Sequence, residues 1–157
     1  MILYHGTILN RLDSIVNDGM LKVTDKNNSI YGVRKNNNIF NTSEGYVYLT
    51  TSLTKAISFA NFAFSQDAQF SGNRTLIIIR IEIDKDLVEE DEDEIELKSH
   101  NNDCYRLSSN IDIKKSSFTY LEFDSFQECC NKVDDGLKNT TINWYSLAEI
   151  KNWLDKI

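Results

Sequence analysis

The sequence predicts an α+β domain, and three stretches carry that expectation. Gly45 to Ala60 reads as a short strand, Val47 to Thr50, running straight into a helix. Thr75 to Ile83 is a continuous apolar run that turns into alternation, the pattern of a central strand buried on both faces at its start. Ser125 with Glu128, and Ser146 with Glu149, have the spacing of capping boxes ahead of helical apolar stripes. No internal repeat or linker interrupts the 157 residues, so residues 1–157 are expected to form one domain.

Taken in order, Ile2 to His5 is a short apolar strand with a polar end, and Gly6 and Thr7 are expected to turn the chain. Ile8, Leu9, Leu12, Ile15 and Val16 form a helical stripe, and Gly19 stops it. Met20 to Val23 continue as an extended piece. From Thr24 to Glu44 the periodicity fails. So long a connection is expected to be a surface loop or one that folds over a ligand, with Tyr31 or Arg34 reaching into the site.

The second helix starts at Ser52, an N-cap, and carries Leu53, Ala56, Ile57, Ala60, Ala63 and Phe64 on one face. Asp84 to Glu96 is an acidic run, expected to be a solvated face. Cys104 to Leu107 and Ile111 to Ile113 read as strand pieces around a turn, and Phe118 to Phe123 as a further strand. Phe126, Cys129, Cys130, Val133 and Leu137 line the third helix, and Thr141 to Tyr145 reads as a last strand. Leu147, Ile150, Leu154 and Ile157 line the terminal helix.

Composition narrows the classes. A hydrophobic content of 41% with 26% charged residues suits a soluble globular chain. The formal net charge of -7 disfavours a large nucleic-acid footprint. Three cysteines, two of them adjacent, make no disulfide framework and no zinc spacing. The N-terminus lacks a basic region followed by a long apolar run, and Leu76 to Ile79 is too short to span a bilayer. A cytoplasmic protein without membrane contact is expected.

The residues that can carry chemistry are few. His5 is one of two histidines, and its plain reading is a structural hydrogen-bonder at a strand end. Gly6 after it lets other groups approach the backbone closely. Tyr48 stands in an otherwise apolar strand, where half-buried packing is the plain reading, and hydroxyls crowd the junction at Thr50, Thr51 and Ser52. A strand ending in hydroxyls at a helix start is a common ligand site. The chain holds no P-loop, no Gly-x-Gly-x-x-Gly and no legible nucleophilic triad.

In combination these pieces resemble the ADP-ribosyltransferase superfamily, in its diphtheria-toxin and poly(ADP-ribose) polymerase branch with a His-Tyr-Glu triad. Tyr4-His5-Gly6-Thr7 looks like the first motif of that branch. Val47 to Thr50, followed by Thr54-Lys55-Ala56-Ile57-Ser58-Phe59, looks like the second. The resemblance runs through residues 2–123 and implies a split β-sheet core with flanking helices.

The resemblance also implies roles. His5 would bond the adenosine ribose hydroxyls of NAD. The Gly6 backbone would hold the nicotinamide carboxamide, and Thr7 would support the turn. Tyr48 and Phe59 would stack on the nicotinamide ring, beside Ser52 at the helix start. The third motif departs from the family. The glutamate position falls at or near Cys104, with Asp103 next to it, His100 near, and Glu122 on a later strand as a weaker stand-in.

The expected activity is transfer of ADP-ribose from NAD, used as substrate, to a macromolecular acceptor, protein favoured slightly over nucleic acid. The small size suits a bacterial or phage effector or toxin, held in check by an inhibitor or antitoxin protein. The alternative is a non-catalytic member that binds a partner or nucleotide. An RNA 2′-phosphotransferase is disfavoured, because the chain begins directly at the His-Gly-Thr strand.

Overall fold

A computed structural model describes residues 1–25, 44–66, 74–91 and 103–157. It is mixed α+β. Among the described residues the strands are β1 (Ile2–Ile8), β2 (Met20–Leu21), β3 (Val47–Thr50), β4 (Arg74–Glu82), β5 (Glu89–Glu90), β6 (Cys104–Leu107), β7 (Ile111–Asp112) and β8 (Ser117–Phe123). Six of them form an antiparallel sheet in the order β5-β6-β3-β1-β4-β8, and β2 pairs with β7 in a two-stranded sheet. Among the described residues the α-helices are α1 (Leu9–Asp18), α2 (Leu53–Gln66), α3 (Phe126–Asp134) and α4 (Leu147–Leu154).

The apolar run of β4 explains the layering. Ile77, Ile79 and Ile81 feed one core, with Leu3, Val47, Leu49 and Phe118 beside them and Leu12, Val16 and Ile150 packing on from α1 and α4. Leu76 and Ile78 point the other way, into a core with Ala56, Ile57, Ala60 and Phe64 of α2 and Cys129 of α3. Because successive strand residues face opposite sides, a strand covered on both faces must be apolar at every position. The acidic run is more than a solvated face: Glu89–Glu90 add an edge strand against β6.

Several expectations are corrected. Gly6 and Thr7 do not turn the chain; β1 runs on through them to Ile8, paired residue for residue with β4. The glycine is needed because α2 crosses there. A Cβ at Gly6 would collide with the backbone carbonyl oxygen of Ala56 and come within 2.9 Å of its carbonyl carbon. Ile8 therefore belongs to the α2 side of the sheet, apart from the α1 stripe.

Ile111 and Asp112 leave the main sheet and pair with Leu21 and Met20, which the left-handed Gly19 has turned towards them. Of Thr141 to Tyr145 a single residue pairs: Tyr145 exchanges both backbone hydrogen bonds with Phe118, at 2.7 and 2.8 Å. Helix α3 ends at Asp134, so Leu137 reaches the core from a left-handed turn at φ 60°. Ile157 lies beyond α4 and is exposed.

The Ser146 capping box is complete. At α3 the Ser125 hydroxyl accepts from the Glu128 N–H, but the Glu128 carboxylate accepts from the Asp124 N–H, one residue before the cap. Among the described residues no helix is long and apolar enough to cross a membrane.

Candidate functional site

The site is organised around β3, which has β1 on one side and β6 on the other. Between β1 and β3 one register pair forms, Tyr4 with Thr50. Past it the connection passes to a side chain: His5 Nδ1 lies 2.9 Å from the Tyr48 carbonyl oxygen. A carbonyl can only accept, so Nδ1 carries the proton and Nε2 of the neutral ring is left as an acceptor. Desolvation by burial pushes the His5 pKa down, the Tyr48 hydrogen bond pulls it partly back, and the positive charge of Arg11 lowers it further. The imidazole is therefore neutral at pH 7. It is the structural hydrogen-bonder of its plain reading, and it retains a second nitrogen for a hydroxyl donor.

On the other side of β3, Cys104 stands opposite Thr50, and the Thr51 N–H donates to the Asp103 carbonyl at 2.8 Å. The Asp103 carboxylate meets the Lys55 ammonium at 2.6 Å, with both side chains 22% exposed. The buried Cys104 thiol donates weakly to the same carboxylate at 3.7 Å. Lys55 belongs to the Thr54-to-Phe59 helix motif, where nothing in the sequence marks a role for it. Its spacing, three residues after the N-cap, is what brings it to Asp103.

The hydroxyls at the junction have local partners. Ser52 Oγ accepts from the Lys55 N–H, as expected of an N-cap. Thr50 Oγ1 accepts from the Ser52 N–H, and the Ser52 and Thr54 hydroxyls lie 3.0 Å apart. They build the strand-to-helix turn that carries Lys55. Phe59 follows Lys55 by one helical turn and, like Tyr48, is half-buried.

The other expected residues separate. Thr7 is buried within β1. Gly6 admits α2 rather than standing open as a turn. Glu122 lies on β8, three strands from β3, a distance of about 14 Å across the sheet. Tyr31, Arg34 and His100 lie outside the described residues.

Three further residues join the site: Arg106 of β6, Glu89 of β5 and Tyr46, the residue before β3. Arg106 stands opposite Tyr48, its Nε donates to Glu89 at 2.7 Å, and its guanidinium lies 4.1 Å from the Tyr46 ring centre. No sequence signal marked this group, because Arg106 and Glu89 are 17 residues apart and meet through strand pairing. Chemically, the arrangement offers a neutral imidazole, a tyrosine ring and a carboxylate held by an ammonium, all on or against one strand. No family model, characterised protein or solved structure matches the chain.

Proposed function

We propose that the protein is an NAD-dependent ADP-ribosyltransferase built on an ADP-ribosyltransferase-like split sheet. The observation that carries this reading is the meeting at β3. His5 of the first motif bonds the backbone of Tyr48 of the second, and Asp103 is bonded to Thr51 from the opposite side. Two motifs 43 residues apart thus lie in contact, with the Asp103 carboxylate just ahead of the strand beyond, β6.

In this reading the Nε2 atom of His5 accepts a hydrogen bond from a ribose hydroxyl of NAD. Tyr48 and Phe59 stack on the nicotinamide. The C–N bond breaks with its electron pair passing to the pyridinium nitrogen, which leaves as neutral nicotinamide. Positive charge builds on the sugar, and the Asp103 carboxylate is the group suited to hold the 2′-hydroxyl and stabilise that charge. Lys55 fixes its direction. An acceptor nucleophile then bonds to the sugar carbon and gives up its proton. The net charge of -7 favours a protein acceptor.

The Lys55–Asp103 ion pair also favours a second reading, a non-catalytic nucleotide-binding protein, because the ammonium already neutralises the carboxylate. Incubation with labelled NAD and a lysate separates the two. Label transfer that disappears in His5→Ala and falls strongly in Asp103→Ala, while Cys104→Ala retains it, is expected of the enzyme. Neither transfer nor NAD hydrolysis from folded protein would overturn the catalytic reading. Activity unchanged in Asp103→Ala would remove that residue from the mechanism.

A further inference from the structure

The row of the sheet that holds Tyr48 continues onto two charged residues. Arg106 on β6 stands directly opposite Tyr48, and Glu89 on β5 directly opposite Arg106. Residues paired in this way share a face, with Cβ atoms about 5 Å apart. Arg106 is 6% exposed, a costly place for a guanidinium unless its charge is matched. Glu89 matches it at 2.7 Å while remaining largely exposed itself. The guanidinium lies over the Tyr46 ring, and the Tyr46 and Tyr48 rings are 6.3 Å apart at 58°.

We infer that Arg106 is a positioning residue for the nicotinamide site, clamped by Glu89 and acting through the rings of Tyr46 and Tyr48. This rests on the ADP-ribosyltransferase reading. A stacking ring is effective when its plane is fixed before the ligand arrives. A guanidinium held by a carboxylate and spread over a ring has little freedom, and a lysine cannot reproduce that planar contact. Glu89 has a second effect. The nicotinamide of NAD is cationic, and an uncompensated guanidinium beside Tyr48 would repel it. At this position the acidic run supplies the counter-charge that makes a buried arginine compatible with a cationic ring.

The test is calorimetric titration of NAD into the wild type, Tyr48→Leu, Arg106→Lys, Glu89→Gln and the Tyr48→Leu/Arg106→Lys double variant, with thermal melts to verify folding. Tyr48→Leu and Arg106→Lys are each expected to weaken NAD binding about tenfold. The double variant is expected to bind within about twofold of Tyr48→Leu alone, because residues acting through one another are not additive. Glu89→Gln, a change at an exposed site, keeps the test available if Arg106→Lys fails to fold; it is expected to weaken NAD about three- to tenfold.

Losses that add, or wild-type affinity in Arg106→Lys and Glu89→Gln, overturn the inference and leave the functional reading standing. A wild type that binds no NAD, or a Tyr48→Leu variant that binds it as well as the wild type, sinks both.

Discussion

Replacing Gly6 with alanine tests the crossing of α2 over β1, on which the geometry of the site depends. The added methyl carbon would lie 2.9 Å from the Ala56 carbonyl carbon and 3.3 Å from the Ala60 Cβ, with the Ala56 carbonyl oxygen nearer still. Carbon atoms settle at about 3.5–4.0 Å, so the helix must withdraw by about 0.6 Å or more. The obstacle is backbone, and no side-chain rotation relieves it. Overpacking of this kind costs about 1–3 kcal/mol, and the upper end applies where a whole helix must move. Alanine returns about 0.4–1 kcal/mol through the unfolded state. The expected net loss is about 2 kcal/mol, or about 5 °C in Tm for a domain of this size.

Urea denaturation followed by circular dichroism measures it. Gly19→Ala is the control: nothing lies within 4 Å of its built Cβ, and its φ of 68° charges only the left-handed backbone, about 1 kcal/mol. A Gly6→Ala protein as stable as the wild type, or less affected than Gly19→Ala, would refute the packing account of this glycine.

Three further outcomes follow from the same structure. The depressed pKa of His5 means that the unfolded chain takes up the proton more readily. Its contribution to stability is therefore full above about pH 6.5 and is lost as pH falls towards the folded-state pKa, by at most about 1.4 kcal/mol per pH unit. His5→Asn, which can still donate to the Tyr48 carbonyl, should flatten the stability profile between pH 6.5 and 5; an unchanged slope would show that His5 is not the group responsible. Ser146→Ala removes a complete capping box and should cost about 1 kcal/mol in calorimetric melts, whereas no loss would mean that α4 is held by Ile150 and its neighbours alone. Burial pushes the Cys129 thiol up to about 12, and Cys104 is likewise buried, so half-buried Cys130 should react first with a thiol reagent and the other two only on unfolding. Fast native labelling of a second thiol would contradict the burial of Cys104 on β6 or of Cys129 on α3.

Much of the fold was legible because local rules and burial agree. The run from Leu76 to Ile79, at the start of Thr75 to Ile83, is apolar at every position as a strand covered on both faces must be, and β4 is that strand. The Ser146 box and the Gly19 stop report backbone needs that no distant contact alters. The errors fall where distant contacts decide. Gly6 looked like a turn because a glycine marks either a bend or a close approach, and the approaching helix begins 47 residues later at Leu53. Ile111 to Ile113 read as a strand piece across a turn from Cys104 to Leu107, but Ile111 and Asp112 pair with β2, brought there by the path of α1.

At the candidate site, the sequence by itself determined the composition of two segments: a His-Gly-Thr strand, and a tyrosine strand entering a capped helix that carries Lys55 and Phe59. Only the tertiary structure decided how they meet. The imidazole bonds the Tyr48 backbone, Lys55 takes Asp103, and Arg106 and Glu89 close the row beside Tyr48. The physical reason is one of range. Capping and periodicity act over three or four residues, so they are visible in the order of the chain. Ion pairs and side-chain hydrogen bonds between strands depend on register, which the packing of the whole sheet sets.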